Sequence, residues 1–263
     1  MCRTQWEDES IILNLSICQL WGKGSDNSSI SNIFITFAFY LSVMNPPIAD
    51  SLILGRQLSC PEGALAQEVG DYIFASNQNM IYQTINRILV SPNSRILEAG
   101  FGNAKHLPYL FQKTNPLHYT GIERAAAMIA EAEESYSELS AEGKTLFLKT
   151  DNESLPPLPL CSFEAFFSVN TYYFIEDLQE YFSKLHSLLT VGGQVVLGYI
   201  DKEFGMSMPF AREVFKFRSN QELEDILLSA GFTSVSISSF SEEIIGKGGR
   251  KFRRPFHIAI ASK

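Results

Sequence analysis

Residues 95–107 read RILEAGFGNAKHL. A short apolar run ends in a carboxylate, Glu98, and two glycines, Gly100 and Gly102, follow before helical sequence begins. Ligands of an open α/β sheet bind at the carboxyl ends of its strands, and glycine lets a ligand approach the backbone closely. The stretch therefore predicts a strand, a ligand-binding turn and a helix.

Strands and helices alternate outward from this stretch. Residues 64–90 predict one or two amphipathic helices, broken near Gly70 or Ser76. Later helices are predicted from residue 106 or 107, over 124–143, 175–193 and 220–231, and later strands over 118–123, 145–151, 163–169, 194–200, 233–240 and 256–263. This order predicts an α/β fold with a doubly wound, mostly parallel sheet, in which the last two strands pair as an antiparallel hairpin.

Composition narrows the classes of function. The chain has 263 residues, of which 45% are hydrophobic, and a net charge of −8. This balance disfavours a general nucleic-acid surface, which needs clustered cations. The four cysteines and four histidines are scattered and show no metal-ligand spacing, so we expect no bound metal. We expect the cysteines to be free thiols and the protein to be cytoplasmic.

Two segments stand apart from this pattern. Residues 1–44 form an atypical extension in which residues 30–44 are mostly apolar but too short for a comfortable membrane span. Our leading hypothesis is that they precede a natural start at Met44; the alternatives are an extra packed segment or a weak membrane anchor. The basic stretch at residues 246–256 is interpreted as a solvated hairpin loop, with an anion site for an acidic substrate or a contact with RNA as the alternatives.

The acid beside the glycine turn discriminates between ligands. A dinucleotide would place its pyrophosphate on the turn, where Glu98 would repel it, and Lys105 occupies the place of the third glycine in that fingerprint. S-adenosylmethionine carries a sulfonium and an ammonium group and no phosphate, so the acid suits it. Glu123, at the end of the second strand, can accept from both ribose hydroxyls, and Asp151, after the third, from the adenine amino group.

With these features the sequence resembles the class I S-adenosylmethionine-dependent methyltransferases, specifically bacterial small-molecule enzymes, over about residues 60–263. LEAGFGN resembles the family's first motif, GIERAAAM the second and LKTDNESLP the third, although Ala104 replaces the third glycine. The resemblance implies a seven-stranded sheet, a helical N-terminal lid over residues 45–90 and a cofactor domain over residues 91–263.

The resemblance also implies the roles of individual residues. The cofactor would be S-adenosylmethionine and the partner a small-molecule acceptor, with no nucleic acid, membrane or metal expected. The cofactor-binding candidates are Glu98, Gly100, Gly102, Asn103, Glu123, Met128, Asp151, Asn152 and Asn170. The catalytic candidates, which would orient the acceptor, wall the site or act as a base, are Asn170, Tyr172, Tyr173 and His106.

Two other functions stay open at this point. One is a non-catalytic cofactor-binding or interaction protein on a methyltransferase fold, because the glycine motif is altered and no base is evident. The other is a dinucleotide-dependent oxidoreductase, which Glu98 and Lys105 argue against. The acceptor and the oligomeric state are not readable from these residues, because a fold does not determine its substrate.

Overall fold

The computed structural model describes residues 48–151, 154–211, 214–245 and 251–263. The helices are α1 (Ile48–Ser59), α2 (Ala66–Ile85), α3 (Leu107–Phe111), α4 (Ala126–Ser135), α5 (Ser137–Ala141), α6 (Leu178–Leu188), α7 (Lys202–Met206) and α8 (Asn220–Ser229). The strands are β1 (Ser94–Ala99), β2 (Leu117–Glu123), β3 (Thr145–Lys149), β4 (Phe163–Val169), β5 (Leu189–Ile200), β6 (Ser234–Ile245) and β7 (Lys251–Ser262). The atypical segment, residues 1–44, lies outside these ranges.

The strands form one seven-stranded sheet in the order β3-β2-β1-β4-β5-β7-β6. Neighbours from β3 to β5 run parallel, whereas β7 lies antiparallel between β5 and β6. This confirms the mostly parallel α/β sheet with an antiparallel C-terminal hairpin. The apolar β4 lies in the middle, where both faces are covered, and the serine-rich β6 lies at an edge.

Helices cover both faces of the sheet and bury two apolar layers. On one face, Leu97 and Val195 belong to a cluster that includes Leu185 of α6 and Leu227 of α8. On the other face, Ile96 and Val196 pack in a cluster with Met80 and Ile85 of α2, all of them fully buried. Burial of each such side chain contributes roughly 1.5–3 kcal/mol, which fixes the strand ends that carry the site.

Several predicted boundaries differ from the structure. Residues 66–85 form one continuous helix, with no break at Gly70 or Ser76. The helix predicted over residues 124–143 is two helices separated at Tyr136. The helix predicted to continue to residue 193 ends at Leu188, because the fully buried Leu189 already pairs with Phe163 of β4 as the first residue of β5.

The last two strands are each about half as long again as predicted, and this extension affects the site. Opposite Ile200, the last residue of β5, stands Phe256 of β7. The β6–β7 ladder continues beyond that point to the pair formed by Ile245 and Lys251. The hairpin therefore projects past the carboxyl end of β5, which is the edge where ligands of such sheets bind.

Candidate functional site

The glycine turn after β1 has a backbone that requires small residues. Gly100 and Gly102 have φ values of 72° and 57°, and Ala104 has 56°. A side chain at Gly100 would also meet Thr171, whose Oγ1 lies 2.4 Å from the position of a Cβ, whereas nothing lies within 4 Å at Gly102. Ala104 adopts the left-handed conformation at some cost, so the replaced third glycine keeps the turn geometry.

Glu98 lies beneath this turn rather than facing solvent. It is 3% exposed, and its Oε2 lies 2.8 Å from His106 Nε2 and 2.5 Å from the Tyr119 hydroxyl, which donates to it. Burial, together with the Glu98 charge, holds the pKa of Tyr119 well above its usual value. The carboxylate therefore contributes a negative charge behind the turn, and His106, 2% exposed, is occupied as its partner.

Glu123, at the end of β2, binds the backbone of the glycine turn. Its Oε2 accepts from the Gly102 N–H at 3.0 Å, and its Oε1 accepts from the N–H groups of Arg124 and Ala125 at 2.7 and 3.0 Å. Burial raises the pKa of Glu123, although these three donors oppose the shift. The Glu123 carboxylate thus accepts from the Gly102 N–H, a backbone donor that a phosphate bound at this turn would otherwise use.

Asp151 lies farther along the same edge of the sheet, after β3. It is exposed and accepts from the N–H and hydroxyl of Ser154, each at 3.1 Å. It lines an open cavity of about 560 Å³ together with Cys60, Glu62, Arg124, Lys149 and Thr150. Asn152, the neighbouring cofactor candidate, lies outside the described residues.

The first half of α2 covers the glycine turn. Gly70 lies against Met128, so closely that a Cβ there would come within 2.6 Å of the methionine sulfur, and Met128 is fully buried. The next residue of α2, Asp71, also contacts the glycine turn. Its Oδ1 accepts from the Asn103 amide at 2.8 Å and pairs with the Lys105 ammonium. The second half of α2 belongs to the core, as Met80 and Ile85 show.

Asn170, after β4, has a strained backbone and a fully engaged carbonyl. Its φ is 55°, and its Oδ1 accepts from the Tyr173 hydroxyl at 2.9 Å and from the Ile200 N–H at 3.2 Å. Its Nδ2 donates to Asn77 Oδ1 on α2 at 3.2 Å. A strained residue held by several contacts is typical of functional sites.

The two tyrosines predicted as a wall of the site lie deeper than expected. Tyr172 and Tyr173 are 2% and 0% exposed. Their rings pack into an aromatic cluster with Tyr199 and Phe217, and burial raises the pKa of both hydroxyls. In this structure they support the residues above them and present almost no surface to a ligand.

Sequence reasoning missed a buried ion pair on the projecting part of the hairpin. Arg254 is 5% exposed and donates through Nε and Nη2 to Glu242 Oε1, at 2.8 and 2.5 Å. It also donates to the Ser76 carbonyl at 2.7 Å and to Asn77 Oδ1 at 3.1 Å, both on α2. The prediction of a solvated loop is therefore wrong for Arg254. No local signal could reveal contacts between residues 177 positions apart.

The described residues contain neither a cluster of metal-ligating side chains nor a membrane-spanning helix. No group of three or more His, Cys, Asp or Glu side chains there could hold a metal ion. No helix among those residues is both long and apolar enough to span a bilayer.

Comparison with known proteins places this site in a family context. Residues 97–197 match the family model described as a methyltransferase domain. An O-methyltransferase of Pyrenophora dematioidea is 25% identical over 176 residues, which are 64% of this chain and 65% of that protein. The uncharacterized methyltransferase YdaC of Bacillus subtilis is 25% identical over 170 residues, 64% of this chain and 88% of that protein. The chain thus spans slightly under two thirds of the fungal relative's length.

A solved structure shows the same fold. The phosphoethanolamine N-methyltransferase 2 of Haemonchus contortus, in complex with S-adenosyl-L-methionine, superimposes with a TM-score of 0.55 at 14% identity. The match covers 71% of this chain and 52% of that one. At this identity the similarity concerns the fold alone.

Proposed function

We propose that this chain, whose residues 97–197 form a methyltransferase domain of class I, transfers a methyl group from S-adenosylmethionine to a small-molecule acceptor. One observation carries the choice of donor: the Gly102 N–H donates to the Glu123 carboxylate, and the Glu98 carboxylate lies buried behind the same turn. Acids in these positions favour a cationic donor and disfavour a diphosphate, because like charges in a poorly solvated site repel strongly.

The residues present fit this donor along the sheet edge. Glu123 Oε2 accepts a single bond from the protein, so it keeps a lone pair for a ribose hydroxyl. Asp151, beside the open cavity, would accept from the adenine amino group, with Asn152 next to it. Met128 would contact the adenine once α2 shifts, since it is covered by Gly70. Asn103 and the two glycines would approach the methionine portion.

The chemistry needs alignment more than acid–base catalysis. The bound donor would supply a methyl group on a sulfonium. When a nucleophile attacks that methyl group in line, the sulfur would leave as a neutral thioether. Alignment of this kind lowers a barrier by roughly 7–11 kcal/mol. Asn170 is the residue we assign to orienting the reacting groups, because its amide is held by three contacts. His106 is buried against Glu98, so we do not assign it as a base for the acceptor.

Ligand binding tests the proposal directly. We expect S-adenosylhomocysteine to raise the free energy of unfolding by about 2.7 kcal/mol at a concentration of 100 Kd, and NAD to leave it unchanged. Glu123→Gln should weaken S-adenosylhomocysteine binding at least tenfold in calorimetry. The matched control is Glu164→Gln, because Glu164 lies at the amino-terminal part of β4, away from the turn. Binding of NAD with no binding of S-adenosylhomocysteine would contradict the proposal.

A second candidate, a cofactor-binding protein without catalysis, is favoured by the closed form of the site. Thr171 crowds Gly100, and Met128 has no exposed surface. Binding of S-adenosylhomocysteine by a wild-type protein that methylates none of a panel of thiols, amines, phenols and carboxylic acids would support this candidate over an enzyme.

A further inference from the structure

A cluster of three side chains lies between the segment after β4, helix α2 and the projecting hairpin. It consists of Asn77, Asn170 and Arg254 and is called here the amide–arginine cluster. Asn77 Oδ1 is its centre, because it accepts both from Arg254 Nη1 and from Asn170 Nδ2. These two bonds, 3.1 and 3.2 Å long, bring the guanidinium to within about 6 Å of the Asn170 amide nitrogen.

The acceptor atoms of this cluster are fully used and several donors are left over. Asn77 Oδ1 and Asn170 Oδ1 each accept two hydrogen bonds. Of the five N–H groups of Arg254, four have partners among the described residues, so one on Nη1 remains. One N–H of Asn170 and both N–H groups of Asn77 likewise have no partner there. Four donors of these three adjoining side chains are therefore free of protein partners among the described residues.

A carboxylate is the group that matches this inventory. It only accepts, and its two oxygens offer about four lone-pair sites. Hydrogen bonds from a guanidinium to a carboxylate are also charge-assisted and roughly twice as strong as neutral ones. Glu242 does not fill this role, because it binds Arg254 through Nε and Nη2, and its other oxygen accepts from Asn79.

The cluster extends from the edge of the donor site towards the hairpin. Asn170 follows β4, the neighbour of β1, and the adjacent Thr171 donates to the Ala99 carbonyl, whereas Arg254 is on β7, beyond β5, so the guanidinium end of the cluster points to the acceptor. The half-buried rings of Phe174 and Phe215 pack against the ring of Tyr173, whose hydroxyl donates to Asn170, so aromatic surface lies one side chain away from the cluster.

We propose that Asn77, Asn170 and Arg254 form the subsite that binds a carboxylate of the methyl acceptor. This inference rests on the proposed function. It makes the acceptor a small, carboxylate-bearing and preferably aromatic molecule, and it makes Arg254 and Asn77 determinants of specificity.

The experiment uses matched probes on the wild-type protein saturated with S-adenosylhomocysteine. Benzoate, benzamide and benzyl alcohol share a ring and differ in the polar group, and their affinities are measured by ligand-observed NMR titration. We expect benzoate to bind at least tenfold more tightly than benzyl alcohol. Asn77→Asp keeps the shape and the central oxygen but removes two donors and adds a negative charge, so benzoate binding should fall at least tenfold. Equal binding of the three probes, or benzamide in first place, would overturn the carboxylate assignment.

A control variant and parallel measurements of cofactor binding make the test specific. Gln78→Glu adds the same charge one residue away, on an exposed side chain that donates a hydrogen bond to the Tyr82 hydroxyl, and should change benzoate affinity less than twofold. Asn77→Asp should leave the affinities for S-adenosylhomocysteine and for 5′-methylthioadenosine, which lacks the carboxylate, unchanged. Selective loss of S-adenosylhomocysteine would show that the cluster holds the donor's carboxylate, which sinks this inference. If the wild-type protein binds no S-adenosylhomocysteine, the proposed function itself fails.

Discussion

The site has a donor side, formed by the glycine turn with Glu98 and Glu123, and an acceptor side, formed by the amide–arginine cluster with Glu242. The two sides satisfy their buried polar groups in opposite ways. On the donor side, the carboxylates of Glu98 and Glu123 lie within hydrogen-bond distance of a hydroxyl, an imidazole nitrogen and backbone N–H groups. On the acceptor side, Glu242 and Arg254 form an ion pair, and the residues around it keep donors without partners. Under the proposed function, the donor side would hold a cation with hydroxyl groups and the acceptor side the anion of the acceptor.

The largest expected loss in the free energy of unfolding comes from a substitution on the acceptor side. Arg254→Met leaves Glu242 buried without its cation, and loss of one partner of a buried pair costs about 3–5 kcal/mol. Replacement of both residues by methionine removes the stranded charge, so the double variant should recover most of that loss. Urea unfolding measures both. A double variant as unstable as Arg254→Met would show that the pair acts through its packing rather than its charge.

The expected effect of intermediate size is a difference between two glycines of the donor side, Gly100 and Gly102. Gly102 serves as the control for Gly100 because both lie in the same turn. Gly100→Ala and Gly102→Ala both place a side chain at positive φ, which costs roughly 1–2 kcal/mol. Only Gly100 lacks room, since Thr171 stands in the way, and overpacking adds roughly 1–3 kcal/mol.

We therefore expect Gly100→Ala to lower the free energy of unfolding by at least 1 kcal/mol more than Gly102→Ala, as measured by urea unfolding. Thr171→Ala should reduce the difference, because it removes the crowding group. Equal costs at the two glycines would contradict the close approach of the segments after β1 and β4.

The donor side was largely predictable from sequence because its determinants are local. Glu98, Gly100 and Glu123 each follow or end a strand whose apolar pattern is readable, and parallel strands bring their carboxyl ends to one edge. Sequence could not show that Glu98 turns inward, since that depends on Tyr119 and His106 meeting in space.

The acceptor side was poorly predictable because it depends on long-range contacts. Arg254 looked like part of a solvated loop, and its burial arises only when the hairpin extends beyond β5 and meets α2. Asn77 carries no motif, and its role follows from contacts 93 and 177 residues away along the chain. Tyr172 and Tyr173 were predicted to wall the site, but the apolar bodies of both rings pack into the core.

The smallest effect is a difference in pH dependence between Glu123 of the donor side and Asp201, the residue that follows β5. Burial raises the pKa of Glu123 above its ordinary value near 4.3. Its folded state therefore binds a proton more readily than its unfolded state, so its contribution is full below about pH 4 and is lost as pH rises through the folded pKa. For Asp201, after β5, burial alone would raise the pKa, but bonds from the Phe204 N–H and His257 lower it.

Asp201 thus contributes stability above about pH 4, and this contribution is lost as pH falls through its lowered pKa. Urea unfolding between pH 3 and pH 7 should show opposite slopes for the wild type relative to Glu123→Gln and relative to Asp201→Asn. The sign of each slope is the expected outcome, because it follows from the direction of each pKa shift alone. Slopes of the same sign would mean that Glu123 is better stabilised as an anion than its burial implies, because its backbone N–H donors would then outweigh its desolvation.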